Sequence, residues 1–147
     1  MGAFHEAFKK SEKDYECVFA CDINENVRRI YEENHFIKTH GDINKIDISK
    51  DIPDFDILCA GFPCQPFSNA GKKKTFKDNR GLLFDEIIKI VKVKKPKFLF
   101  LENVKHILKV SGGKVMEYIK EKLDENGYTL QLFNMSPHKY GIPQQRE

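Results

Sequence analysis

A cysteine flanked by prolines is the first feature of this 147-residue chain that could do chemistry. Cys64 lies between two prolines in the segment GFPCQPFS, residues 61–68, directly after an apolar run. Proline holds the backbone φ angle at about −65°, so Pro63 and Pro66 restrict the loop that would aim the sulfur. A deprotonated cysteine is a strong nucleophile. From the local sequence alone, a buried and inert cysteine is the competing interpretation.

Acidic residues at the ends of apolar segments are the second such feature. Asp22 ends ECVFACD, Asp42 follows a glycine, and Glu102 follows FLFL. An acid at the carboxyl end of a strand is well placed to accept hydrogen bonds from ribose hydroxyls or a base. Asp22 could equally cap a following helix. Glu102 is harder to explain structurally, because it and Asn103 set a carboxylate and an amide against a very apolar strand.

The elements that must position these residues alternate between strand and helix. Apolar residues at helical spacing predict helices, and short apolar runs predict strands. The predicted helices cover residues 4–14, 27–34, 83–91 and 115–123, and the predicted strands cover residues 16–22, 56–60, 97–101 and 128–134, with a brief extended piece at 39–43. This alternation predicts an α/β fold with a mostly parallel, doubly wound sheet that binds ligands at the carboxyl ends of its strands.

The composition excludes several classes of protein. Hydrophobic residues make up 40% and charged residues 32%, which is typical of a globular domain. No segment approaches the roughly 18 apolar residues of a membrane span, and no signal peptide is present, so we expect a cytoplasmic location and no membrane partner. The four cysteines form no CxxC pair and the five histidines are scattered. We therefore predict neither a bound metal nor a disulfide framework.

The charge balance permits a nucleic-acid partner without requiring one. The net charge is +3, and the lysines are clustered rather than evenly spread. One cluster, Lys72 to Lys74 with Lys77, follows the cysteine loop, and a second extends from Lys89 to Lys97. Considered by itself, each cluster is more simply a solvated surface.

Three motifs, in their order and spacing, resemble those of the cytosine-5 DNA methyltransferases. They are GFPCQPFS (61–68), LENV (101–104) and YGIPQQR (140–146), and RGLLF (80–84) lies between the first two. The resemblance covers essentially the whole chain. It implies a Rossmann-like enzyme that transfers a methyl group from S-adenosylmethionine to carbon 5 of a cytosine flipped out of double-stranded DNA, in a restriction-modification system.

The resemblance also implies catalytic roles. The thiolate of Cys64 would add to carbon 6 of cytosine and so activate carbon 5, which is otherwise a poor nucleophile. Glu102 would bind the edge of the base at N3 and the exocyclic amine, and would stabilise or protonate N3. Arg146 would orient the catalytic loop and the carbonyl oxygen of the base. Asn103 would hold the turn, and Lys72 to Lys74 would contact phosphates.

For S-adenosylmethionine the resemblance implies a set of six residues. A glycine-rich turn would receive the methionine end, an acid would bind the ribose hydroxyls, and an isoleucine would pack on the adenine. A second acid and isoleucine would hold the adenine edge, and a leucine would line the pocket. For Ile23 and Leu83, core packing is the alternative interpretation. The set is Gly2, Asp22, Ile23, Asp42, Ile43 and Leu83.

The chain departs from the family pattern at both ends. The strand that normally precedes the glycine-rich turn is absent, as are the second arginine, the final strand and the target-recognition region. We therefore expect residues 1–147 to be a partial catalytic domain that lacks the central first strand. Such a sheet has an empty position, so a second chain that supplies the missing parts is one hypothesis. A transfer RNA cytosine-5 methyltransferase and an inactive remnant or binding module are the alternatives.

Overall fold

The computed structural model describes residues 2–11, 13–63 and 83–141. The chain divides into two compact units, the first formed by Met1–Cys59 and Val93–Phe100 and the second by Ala60–Lys92 and Leu101–Glu147. The predictions for Cys64, Arg146 and Lys72 to Lys74 lie outside the described residues. None of the helices within the described ranges is both long and apolar enough to cross a membrane.

The described residues of the first unit, up to residue 56, form three helices and a short 3₁₀ turn. They are α1 (Ala3–Lys10), α2 (Glu25–His35), the 3₁₀ turn Ile43–Lys45, and α3 (Ile48–Asp51). The side chain of Asn24 caps α2 by accepting hydrogen bonds from the amides of Asn26 and Val27, at 3.0 and 3.3 Å. The prediction of α2 is confirmed, and α1 is also present but ends at Lys10, before the predicted limit near Asp14.

A βαβ unit forms the sheet. Strand β1 (Ile57–Gly61) is followed by α4 (Leu83–Lys94) and then by β2 (Phe98–Glu102), which pairs with β1. The amide of Phe98 donates to the carbonyl of Asp56 at 3.1 Å, and at the other end Gly61 lies beside Glu102. The strands therefore run in the same direction, as a helical crossover requires. This confirms the predicted class, a partial doubly wound α/β fold.

The second unit has an apolar core between two helices. Phe84, near the start of α4, has no exposed surface, and its ring lies near the rings of Phe62 and Tyr118, at centroid distances of 5.5 and 6.1 Å. Tyr118 is on α5 (Lys114–Asp124), and its hydroxyl donates to Asp85 at 2.5 Å. The segment Lys105–Gly113, mostly 3₁₀ in conformation, leads into α5, and a last 3₁₀ turn spans Pro137–Tyr140.

Two predicted strands differ from the structure. In the segment 16–22 only Cys21 pairs, through a single parallel bridge to His40, and the segment 128–134 has no strand pairing. Leu132 and Phe133 in the second segment are exposed. An apolar run becomes a strand only where a neighbouring strand completes its backbone hydrogen bonds, and the described residues supply no such neighbour along these two segments.

Candidate active site

A single parallel bridge brings together the two acidic segments of the first unit. His40 donates its amide to the carbonyl of Ala20 at 2.8 Å and accepts from the amide of Asp22 at 3.1 Å. The pKa of the Cys21 thiol is raised to about 11, mainly by burial and additionally by the negative charges of Asp22 and Asp42. Both carboxylates thus lie close enough to this thiol for their charges to act on it.

Asp22 does not cap the helix that follows it. The cap is Asn24, and the Asp22 carboxylate instead accepts from the Asn24 amide at 2.9 Å through Oδ1. Its Oδ2 atom has no hydrogen-bond partner among the described residues. The alternative of Asp22 as a helix cap is therefore wrong, and one carboxylate oxygen is available for a ligand hydroxyl. The side chain of Ile23 is 76% exposed, which excludes core packing as its role.

Asp42 begins the 3₁₀ turn that contains Ile43. Its Oδ1 atom accepts from the amide and from the side-chain nitrogen of Asn44, at 3.0 and 2.8 Å. These two bonds hold the pKa of the Asp42 carboxyl below its ordinary value, so this carboxylate is ionised at neutral pH. Ile43 is half-buried beside it.

Gly2 occupies a position that only glycine fits well. Its φ angle is +106°, in the left-handed region, and its carbonyl accepts from the amide of Glu6 at 2.9 Å as α1 begins. A β-carbon at this position would lie 3.2 Å from Nε2 of His35 and 3.7 Å from the ring of Tyr31. The turn before α1 is therefore packed closely against α2.

The acidic turn of the second unit joins the end of β2 to the end of β1. A β-carbon at Gly61 would lie 3.4 Å from Oε2 of Glu102, so the carboxylate lies over this glycine. Asn103 donates from Nδ2 to the carbonyl of Phe62 at 2.6 Å, and its Oδ1 accepts from the amide of Val104 at 2.9 Å. Asn103 therefore holds the turn, as the sequence predicts, by binding the backbone two residues before the cysteine of the PCQ motif.

The remaining predicted site residues are not brought together by the described structure. Cys64 and Arg146 lie outside the described ranges, and Leu83 is the half-buried first residue of α4. Within residues 2–11, 13–63 and 83–141 no group of three or more His, Cys, Asp or Glu side chains could hold a metal ion.

The second lysine cluster is largely engaged in ion pairs. Lys94 contacts Asp54 at 3.2 Å and Lys97 contacts Asp56 at 2.7 Å. A third member, Lys89, contacts Glu86 at 2.6 Å. These contacts favour the interpretation of this cluster as an ordinary charged surface.

Sequence reasoning missed two residues of α2 that contact the acidic segments. Arg28 donates to the backbone carbonyls of Asp22 and Ile23, and Glu32 accepts from Thr39. The only signal in the sequence is their spacing of four residues, which places both side chains on one face of a helix. That spacing also describes many solvated ion pairs and so does not identify their partners.

The described elements form part of the Rossmann-like α/β fold of methyltransferases. The chain belongs to the C-5 cytosine-specific DNA methylase family, whose model matches residues 1–147. The solved structure of the Dnmt2 methyltransferase of S. pombe superposes with a TM-score of 0.72 over 99% of this chain and 43% of that one, at 22% identity. That likeness concerns the fold alone.

Curated relatives carry the name Type II methyltransferase. M.HhaI of Haemophilus parahaemolyticus is 45% identical over 90% of this chain, M.HaeII of Haemophilus aegyptius 47% over 88%, and M.NgoBI of Neisseria gonorrhoeae 44% over 100%. The chain spans 40, 41 and 45% of their respective lengths. Nothing in these comparisons supports a separate second chain.

Proposed function

We propose that this chain is part of a DNA (cytosine-5) methyltransferase of a restriction-modification system, with Cys64 as its nucleophile and S-adenosylmethionine as its methyl donor. Family membership and the Type II relatives support the proposal. The observation that carries it is the bond from Asn103 to the Phe62 carbonyl, together with the position of Glu102 over Gly61. These contacts tie the proposed acid to the backbone that leads directly into Cys64.

Residues of the first unit fit the adenosine part of the donor. Asp22 has a carboxylate oxygen without a partner among the described residues and would bind the ribose hydroxyls. Ile23 has an exposed apolar side chain that would pack on the adenine, and Asp42 with Ile43 would bind the adenine edge. Gly2 begins the turn that would receive the methionine end, and Leu83, a residue of the second unit, is a further cofactor residue that the family resemblance implies. When bound, S-adenosylmethionine supplies an electrophilic methyl group on a positively charged sulfur.

The chemistry proposed for the catalytic residues follows from the weakness of carbon 5 as a nucleophile. The Cys64 thiolate adds to carbon 6, and the displaced electron pair makes carbon 5 electron-rich. Glu102 stabilises or protonates N3 as negative charge develops there, a contribution of about 10²- to 10⁴-fold, or roughly 3 to 5 kcal/mol. Carbon 5 then takes the methyl group, which would leave the sulfur of the donor as a neutral thioether. Loss of the carbon 5 proton to solvent re-forms the double bond between carbons 5 and 6 and expels the Cys64 thiolate from carbon 6. Arg146 would hold the carbonyl oxygen of the base.

Double-stranded DNA is the substrate that we propose. A target cytosine within a duplex must be flipped out of the base stack, at a cost of a few kcal/mol that backbone contacts offset. Lys72 to Lys74 follow the cysteine loop in the sequence and are our candidates for phosphate contacts.

The test is the transfer of labelled methyl groups from S-adenosylmethionine to duplex DNA by the protein, compared with the Cys64→Ser and Cys59→Ser variants. Cys59 is a matched control because burial raises its pKa to about 11, which leaves little thiolate at neutral pH. We expect Cys64→Ser to abolish transfer and Cys59→Ser to preserve it. Transfer that survives in Cys64→Ser would show that the proposed nucleophile is wrong.

The choice of substrate is tested in the same assay with two competitors. Unlabelled duplex DNA should suppress labelling of a DNA substrate, whereas transfer RNA should not. If transfer RNA is the better acceptor, the protein is still a cytosine-5 methyltransferase, but the proposal that duplex DNA is its substrate is wrong. If the unsubstituted protein labels neither nucleic acid, the inactive remnant is supported instead.

A further inference from the structure

We propose that Arg28 and Glu32 are positioning residues that hold the two acidic segments at the separation that the adenosine of S-adenosylmethionine requires. The inference rests on the proposed function of those segments. The two residues lie one turn apart on α2, on a single helix face. Each of them binds a different segment.

Arg28 binds the first segment through its backbone. Its Nη1 atom donates to the carbonyl of Asp22 at 2.9 Å and to the carbonyl of Ile23 at 3.3 Å. The same nitrogen would lie 3.8 Å from a β-carbon at Gly41, the residue directly before Asp42. One half-buried guanidinium group therefore binds the first segment and lies close to the second. Hydrogen bonds from an ionised donor are roughly twice as strong as neutral ones, and the planar guanidinium orients them.

Glu32 binds the second segment. Its Oε1 atom accepts from the amide of Thr39 at 2.7 Å and from the Thr39 hydroxyl at 2.6 Å. Thr39 is buried and directly precedes His40, which forms the bridge to the first segment. The hydroxyl bond first, and then the amide bond, hold the pKa of Glu32 below its ordinary value, so the acceptor is ionised at neutral pH.

These contacts matter because the backbone pairing between the two segments is short. In the described part of the chain their backbone pairing is limited to one parallel bridge, Cys21 to His40, beside which the rings of Phe19 and His40 stack with centroids 4.7 Å apart. A binding site loses affinity when its groups must first be ordered, so contacts that fix them in advance strengthen binding. The α2 helix offers a rigid support, since it is capped by Asn24 and spans eleven residues.

The next two positions on α2 provide a matched control. Arg29 and Glu33 have the same residue types at the same spacing and contact each other at 3.7 Å, with side chains 72% and 67% exposed. Within the described residues neither of them binds an acidic segment. A pair of this kind contributes little to stability. Any effect of charge or of helix propensity alone should therefore be the same at both pairs.

The experiment is calorimetric titration of the chain with S-adenosylmethionine. We expect Arg28→Met and Glu32→Ala each to weaken binding roughly tenfold, a factor that corresponds to about 1.4 kcal/mol. Arg29→Met and Glu33→Ala should stay within about twofold of the unsubstituted chain. Arg28→Lys and Glu32→Gln, which keep one donor and one acceptor, should recover part of the affinity. Equal effects at the two pairs would overturn the inference.

Amide hydrogen exchange provides a second measurement that needs no ligand. The Asp22 and His40 amides form the bridge, so they should exchange faster in Arg28→Met and Glu32→Ala and at an unchanged rate in Arg29→Met. If the unsubstituted chain does not bind S-adenosylmethionine, the proposed function of these segments fails. Faster exchange would then still support the positioning role, and unchanged exchange would contradict it.

Discussion

The segments around Asp22 and Asp42 are held by polar side chains of α2, whereas the turn at Glu102 and Asn103 belongs to a unit with a packed apolar core. In the first region Arg28 donates to the carbonyl of Asp22, and Glu32 accepts from the amide and the hydroxyl of Thr39. In the second unit, Phe84 and the apolar faces of α4 and α5 are buried. Polar support depends on ionisation and solvent, while apolar support depends on shape and volume.

This difference matches what each region is proposed to do. A site for a nucleotide must expose groups such as Ile23 and the free oxygen of Asp22, so its segments cannot be buried in a core. A turn that aims an acid at a reacting base must be held rigidly by its surroundings. The two regions should therefore respond to different substitutions.

The largest expected effect is on the apolar core. Phe84→Ala should lower the free energy of unfolding by about 3–5 kcal/mol, because Phe84 has no exposed surface and its removal leaves a cavity. Ile23→Ala, at a side chain that is 76% exposed, should change it by less than about 0.5 kcal/mol. Denaturant unfolding of the two variants measures both values. Similar losses of unfolding free energy in the two variants would contradict the proposed difference between the regions.

The second effect compares one type of hydrogen bond in the two regions. Asn103→Ala removes the donor to the carbonyl of Phe62, a residue only 7% exposed, and should cost about 1–3 kcal/mol. Asn34 makes the same kind of bond, to the Ile30 carbonyl at 2.7 Å, on the exposed surface of α2. Asn34→Ala should cost no more than about 0.5 kcal/mol. A larger loss at Asn34 in denaturant unfolding would contradict this comparison.

The third effect concerns the end of α2. Phe36 has a φ angle of +56°, in the left-handed region, and its side chain is 91% exposed, so it is strained without being packed. Phe36→Gly should therefore stabilise the chain by up to about 1 kcal/mol. Phe36→Ala keeps the β-carbon and should give no gain. The shift in the midpoint of thermal unfolding measures the effect of each variant. Equal shifts in the two variants would show that backbone strain at residue 36 does not cause the stabilisation.

The smallest effect is the response of the polar region to acid. The pKa of Glu32 is lowered in the folded chain, so its contribution to stability is present above the ordinary value of 4.5 and is lost as pH falls through the folded pKa. The Thr39 amide should thus exchange faster, relative to its intrinsic rate, as pH falls from about 6 to about 3. Because Glu32 is at the surface, the change should be modest. In Glu32→Gln the exchange of the Thr39 amide should no longer depend on pH in this way. If the acceleration persists in that variant, another titrating group causes it.

The family and most of the elements could be predicted from the sequence because their signals are local. Apolar spacing predicts α2, α4 and α5 within a few residues, since each helix is bonded within itself. The three motifs indicate the family without any knowledge of the fold. The strand predicted at residues 128–134 is wrong, because a strand forms only beside a partner strand. The residues of the segment itself do not indicate whether such a partner is present.

By itself the sequence determined which residue types are present and which of them form helices, including an acid directly after FLFL and a cysteine after GFP. Only the tertiary structure decided that Asn103 binds the carbonyl of Phe62, 41 residues away, and that Arg28 binds two carbonyls rather than a carboxylate. Every residue carries a backbone carbonyl, so the sequence does not mark which one a side chain will meet. That choice is made when packing brings distant segments together.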